Sequence, residues 1–185
     1  MEHQPIELPL VISAGLSLLA AGNYATAALH KIRTFIEFTG FVDGYRLLPG
    51  TLIKPASLVV VGLEMAAVAG ALFSLPWLEY LPAAMLTLYA AAMGINLSRG
   101  RTDIDCGCGG TPMPLSLALV LRNLVLAASF FWAAGTGGIL TLAVSQPELV
   151  LIAFCFALTL GISYASFNQL QANKGIYQRL WVPSS

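Results

Sequence analysis

The chain has 185 residues, 57% of them hydrophobic; nine Lys+Arg balance nine Asp+Glu, so only 10% are charged and the net charge is zero. A soluble domain carries about 25% charged residues, and an uncharged surface this apolar would precipitate from water. A disordered chain, a nucleic-acid binder and an ordinary soluble enzyme are therefore excluded. With a mean hydropathy of +0.78 the chain belongs in a lipid bilayer, as one small bundle rather than a transporter of two repeated halves.

A membrane helix needs roughly 20 apolar residues to cross about 30 Å of hydrocarbon. Leu8 to His30, Tyr80 to Ser98 and Leu149 to Asn173 carry no Lys, Arg, Asp or Glu; Pro55 to Leu78 carries only Glu64, and Thr111 to Ala134 only Arg122. These stretches are separated at Pro55, at Pro76/Pro82, at Pro112/Pro114 and at Gly135–Gly138. No Lys or Arg precedes the first stretch and no cleavage site follows it, so it is expected to be retained rather than removed as a signal peptide. The pattern predicts a single all-α membrane domain over 1–185, a compact bundle of four to five transmembrane helices. Five are favoured, at about 8–29, 55–75, 79–98, 113–134 and 148–169. Strand-like alternation is missing, which argues against a barrel. Small residues four apart, Ala66/Gly70 and Gly161/Ala165, would let helices approach closely.

Between the first two spans, 31–49 is too short and too charged to cross. Ile32, Phe35, Ile36, Phe38, Val42 and Tyr45 spread over one broad helical side, with Lys31, Arg33, Glu37, Asp43 and Arg46 on the other. It is expected to be an interfacial amphipathic cap, the alternative being a plain connecting loop.

The loop at 99–111 holds Cys106 and Cys108 with one glycine between them. One reading is a redox dithiol: a disulfide in so small a ring is strained and readily reduced, and Gly107 has the backbone freedom such a ring needs. Arg99, Arg101 and a helix beginning at Pro112–Leu115 would favour thiolate; Asp103 and Asp105 would oppose it, and an adjacent acid can relay a proton. A structural zinc site would need four ligands, usually from two pairs, and only one pair exists. Incidental buried thiols are the third reading, though two cysteines in the most polar loop are not distributed like core thiols. Cys155, between Phe154 and Phe156, is expected to be an inert core thiol.

Charges inside a span are candidates for function. Glu64 and Arg122 each lie about ten residues, roughly 15 Å, into spans entered from the same face as the cysteine loop. They are expected to pair inside the bundle, either as a structural clip or as a quinone or proton site, with Asn123 as a hydrogen-bond donor to a quinone carbonyl.

The stretch Asn96-Leu-Ser-Arg-Gly-Arg-Thr-Asp-Ile-Asp-Cys-Gly-Cys-Gly-Gly, followed by Leu115-Ser-Leu and Leu121-Arg-Asn, resembles the MauE family of methylamine utilization proteins. Tyr45-Arg-Leu-Leu-Pro, with Pro55 and Glu64 downstream, is similar to the same family and to the wider DoxX-like membrane group. The resemblance covers roughly 8–170. One departure is Gly110, where the family often has an aromatic residue. The resemblance implies a role in maturing methylamine dehydrogenase, whose small disulfide-rich subunit would be reached indirectly through MauD, a thioredoxin-like partner with its own cysteine pair. The layout also resembles vitamin K epoxide reductase, a helical bundle whose loop dithiol passes electrons to a quinone. On that resemblance Cys106 and Cys108 are the quinone-proximal pair; the quinone is expected to be ubiquinone, with Glu64, Arg122, Asn123 and Tyr45 as the candidate residues that bind it. The spacing differs, Cys-x-Cys in place of Cys-x-x-Cys, and the second, substrate-facing pair is missing from 31–49.

The implied function is a membrane thiol–disulfide oxidoreductase of the bacterial inner membrane, with the cysteine loop in the periplasm. The alternative is a non-enzymatic anchor or assembly factor for MauD. A small transporter is disfavoured because no pair of broken helices is visible. The charges argue the other way on orientation: Lys31, Arg33, Arg46, Lys54, Arg99, Arg101, Lys174 and Arg179 share one face in a five-span chain, which by the positive-inside rule would be cytoplasmic.

Overall fold

The computed structural model describes residues 7–75, 77–107 and 113–181, with side chains through 174. Among the described residues seven α-helices follow in order: α1 (Leu8–Arg33), α2 (Phe35–Gly44), α3 (Gly50–Phe73), α4 (Leu81–Ser98), α5 (Leu117–Thr136), α6 (Ile139–Ser145) and α7 (Val150–Trp181). Five segments are long and apolar enough to cross a membrane: Leu8–Arg33, Gly50–Phe73, Leu78–Ser98, Leu117–Ser145 and Pro147–Lys174. The expected all-α five-helix membrane bundle is the observed fold. Cys108, Gly109, Gly110, Pro76 and Pro112 lie outside the described residues.

Several boundaries differ from the sequence expectation for identifiable reasons. α1 runs past residue 29 to Arg33, because nothing in His30-Lys31-Ile32-Arg33 breaks a helix and cations in its last turn suit the negative end of its dipole. α3 begins at Gly50, not Pro55: extended Pro49 caps it, and Pro55 within it removes one intrahelical bond near the membrane surface without stopping the helix. α5 begins at Leu117, after extended Ser116, not at Pro112–Leu115.

The cap at 31–49 is also rearranged. Thr34, with φ −117° and ψ 41°, breaks the helix between α1 and α2 and resets the phase of the wheel. Ile32 and Ile36, assigned to the apolar inner side, are instead 52% and 88% exposed and point outward, while Phe38 is buried. Phe38, Phe41, Val42 and Tyr45, spaced three and four apart, form the inward face.

The main core joins α1, α3, α4 and α5 through Leu16, Leu19, Ala67, Ala71, Met85 and Phe130. A smaller one packs Leu142 and Leu149 against Leu10, Val11 and Ala14. By connectivity α2, the cysteine loop and the end of α7 share one face of the bundle. The tight return from α3 to α4 depends on Gly70, since a Cβ there would collide with the backbone carbonyl of Leu78. At Gly22 a Cβ meets nothing within 4 Å.

Gly70→Ala should therefore lower the thermal midpoint of the detergent-solubilised protein, by about 1–3 kcal/mol of stability as overpacking against fixed backbone does. Gly22→Ala should leave it unchanged or raise it slightly.

Candidate functional site: a cavity beneath the cysteine loop

A cavity of about 210 Å³ lies between the cap and the ends of α1, α3, α4 and α5. One of its polar groups is Glu64 on α3, fully buried. Glu64 Oε1 accepts hydrogen bonds from Lys31 Nζ at 2.7 Å and from Tyr89 Oη at 2.6 Å. Oε2 is buried and has no hydrogen-bond partner. Lys31, 4% exposed, also lies 5.3 Å from the ring centre of Phe38 and 5.8 Å from that of Tyr89. Ring faces and a carboxylate together offset the desolvation of an ammonium taken out of water.

The expected Glu64–Arg122 pair does not form. Lys31 takes the carboxylate, because α1 continues inward for another turn and carries Lys31 on the buried stripe of Tyr24 and Ala28. That three-and-four spacing of Tyr24, Ala28 and Lys31 is the signal the sequence holds for a buried Lys31. Arg122 Nε and Nη2 instead donate to Asn123 Oδ1 at 3.1 and 2.9 Å, Nη1 donates to Asn168 Oδ1, and the guanidinium lies 5.2 Å from the ring centre of Tyr164. Asn123 is 1% exposed. Glu64, Arg122, Asn123 and Tyr45 nevertheless all line the one cavity, together with Cys106. Tyr24 and Tyr89 line it too, and neither was singled out from the sequence, where an aromatic in a span reads as core.

The cysteine loop folds back on itself. Asp105 and Pro114 form an antiparallel bridge; Cys106 N–H donates to Met113 O at 3.0 Å and Leu115 N–H to Ile104 O at 3.1 Å. Asp105 Oδ1 accepts from Gly107 N–H at 2.9 Å, so its carboxylate shapes the turn. Gly107 has φ +66°, and a Cβ there would press on Phe41 at 3.3 Å; only glycine suits both the left-handed backbone and the close approach. Cys106 is buried among Met93, Met113, Leu115, Leu119 and Ala172, and Tyr45 Oη donates to its carbonyl at 3.1 Å. Arg101 spans loop and cap: its guanidinium donates to Asn96 Oδ1 at 2.8 Å, Gly44 O at 2.8 Å and Tyr45 O at 3.3 Å. Arg99 is exposed at the end of α4. The sequence placed a helix N-terminus at Pro112–Leu115; Pro114 and Leu115 belong instead to the antiparallel segment. Cys155 is a further correction, since it lies on the outward side of α7 and is exposed, not in the core: α7 turns most of this stretch, including Leu151, Ile152 and Phe154, outward. Among the described residues no three His, Cys, Asp or Glu side chains gather as a metal site.

The family described as methylamine utilisation protein MauE matches residues 9–135. The chain belongs to the MauE family. It is 38% identical to methylamine utilization protein MauE of Paracoccus denitrificans over 125 residues, 65% of this chain and 66% of that one. To the Paracoccus versutus protein of the same name it is 35% identical over 136 residues, 71% and 73% of the two chains. To that of Methylorubrum extorquens it is 40% identical over 114 residues, 60% and 61%. The chain thus spans just under two thirds of the length of the first of these relatives. No solved structure matches it. The family match takes in Lys31, Glu64, Tyr89, Cys106 and Arg122, while Tyr164 and Asn168, which hold Arg122, lie beyond it.

Removing one member of the buried pair strands the other. Lys31→Ala or Glu64→Ala should each cost about 3–5 kcal/mol, read as a large loss of thermal stability in detergent, whereas Lys31→Met combined with Glu64→Gln should recover most of it.

Proposed function

We propose that the chain acts in methylamine utilisation as a membrane thiol–disulfide oxidoreductase, supporting disulfide formation during maturation of methylamine dehydrogenase. The observation that carries this reading is that Cys106 lies in the wall of a largely apolar cavity whose polar groups include Glu64, Lys31, Tyr89, Arg122 and Asn123. Such a cavity with a few convergent polar groups is the usual form of a small-molecule site.

A quinone suits these residues. A dry cavity of about 150 Å³ holds a benzene ring, and this one is larger. Phe38, Phe41 and Tyr89 offer ring faces, while Glu64, Arg122, Asn123 and Tyr45 supply polar contacts at its edge. A quinone bound there supplies an acceptor for the two electrons and two protons released when a dithiol closes.

The chain's own part is exchange at Cys106 and Cys108. A thiolate of a reduced thioredoxin-fold partner, such as MauD, attacks the Cys106–Cys108 disulfide and forms a mixed disulfide. The partner's second thiol resolves it, and the partner leaves oxidised with the pair of this chain reduced. Asp105 holds the turn, Gly107 permits it, and Tyr45 and Arg101 keep the loop against the cavity.

In this reading the loop faces the periplasm. Two of the eight cations that argue against it are engaged inside the fold: Lys31 by Glu64, and Arg101 by the end of α2.

With chemical dithiol as electron source, the purified chain should reduce a short-chain quinone, and Cys106→Ser should lower that rate at least 100-fold. An anchor would show no such reaction, and Cys106→Ser would leave dehydrogenase maturation intact in cells. In spheroplasts of a Cys155→Ala strain, an impermeant maleimide should label Cys106 and Cys108 from outside only after mild reduction. Labelling only after lysis would place the loop in the cytoplasm and end the periplasmic reading.

A further inference from the structure

The carboxylate of Glu64 is used unevenly. Both donors that reach it, Lys31 Nζ and Tyr89 Oη, bond to Oε1. Oε2 is buried and has no partner, and Glu64 lines the cavity. A buried acceptor without a donor costs free energy, more so when charged, and a ligand that brings a donor recovers it. Oε2 of this carboxyl group, whose Oε1 is paired with Lys31, has lone pairs to offer a donor.

The geometry points to Glu64 Oε2 as the acceptor for a ring hydroxyl of the cavity's ligand, so that the site prefers a hydroquinone to the corresponding quinone. The inference rests on the reading of the cavity as a quinone site. A hydroquinone O–H donates to Oε2. A quinone carbonyl is itself an acceptor and meets Oε2 lone pair to lone pair.

The preference biases the bound couple toward accepting electrons. Tighter binding of the reduced form makes the bound quinone the stronger oxidant, by reciprocity of the linked equilibria; each tenfold of preference is about 30 mV for a two-electron couple. The balanced reaction is oxidation of the Cys106 and Cys108 thiols to a disulfide as one quinone becomes one hydroquinone. Two electrons and two protons pass from the thiols to the ring. Glu64 acts here as a binding and positioning residue.

The test uses the full-length chain in detergent, with Cys106→Ser and Cys108→Ser to prevent electron exchange. Binding of a tail-less ubiquinone head group and of its hydroquinone is measured anaerobically by equilibrium dialysis. The hydroquinone should bind about tenfold tighter or more, the worth of one hydrogen bond to a charged group. In the folding-safe variant Lys31→Met with Glu64→Gln the preference should shrink to within about twofold, because the amide can both donate and accept. Equal binding of the two forms by the unaltered cavity, tighter binding of the quinone, or a preference that survives the double variant would each overturn the inference. Binding of neither form would overturn it together with the quinone reading. A Glu64-dependent hydroquinone preference in a chain whose native cysteines fail to reduce quinone would uphold the inference and sink the oxidoreductase reading.

Discussion

The ion pair between Lys31 and Glu64 is the interaction on which this bundle is organised. An ammonium and a carboxylate inside a membrane domain, 4% and 0% exposed, remain there only if each holds the other, because a lone buried charge is far costlier than a pair. Their 2.7 Å contact joins α1 to α3, and Tyr89 adds α4 through the same oxygen. It requires α1 to continue one turn beyond its uncharged stretch. The break at Thr34 follows, and the cap is laid across the mouth of the cavity with Phe38 over the ammonium.

Arg101 does the corresponding work at the membrane surface. The end of a helix leaves carbonyls without intrahelical donors, and the guanidinium of Arg101 donates to two of them, at Gly44 and Tyr45. One rigid fork with several donors can satisfy such a cluster, which a lysine could not. With Tyr45 bonded to the carbonyl of Cys106, cap and loop form a single lid. The cysteine is thereby fixed to the cavity wall by main-chain contacts.

Arg122, half-buried on α5, stands in the wall of the same cavity. Two asparagine oxygens and the face of Tyr164 surround it. The cavity is thus lined by this guanidinium on α5 and by the paired carboxylate on α3. The family match and the cavity chemistry meet in the same segment of chain, since residues 9–135 contain every cavity group named here except Tyr164.

Composition and the spacing of charges determined, without any structure, that the chain is a five-span helical membrane protein, because length and hydropathy of a span are set by the thickness of the bilayer alone. The cysteine loop was legible for a similar reason: two cysteines around a glycine in a polar segment are a local pattern, as was the depth of Glu64 and Arg122. What the sequence could not show was partnership. Which cation reaches Glu64 depends on where α1 ends and how it is rotated, and a break at Thr34 that shifts the phase of two helices is decided by packing between them. The inward face of the cap, the outward turn of Cys155 and the meeting of Glu64, Arg122, Asn123, Tyr45 and Cys106 at one cavity are likewise long-range results. They follow from tertiary contacts between residues tens of positions apart, which no local period encodes.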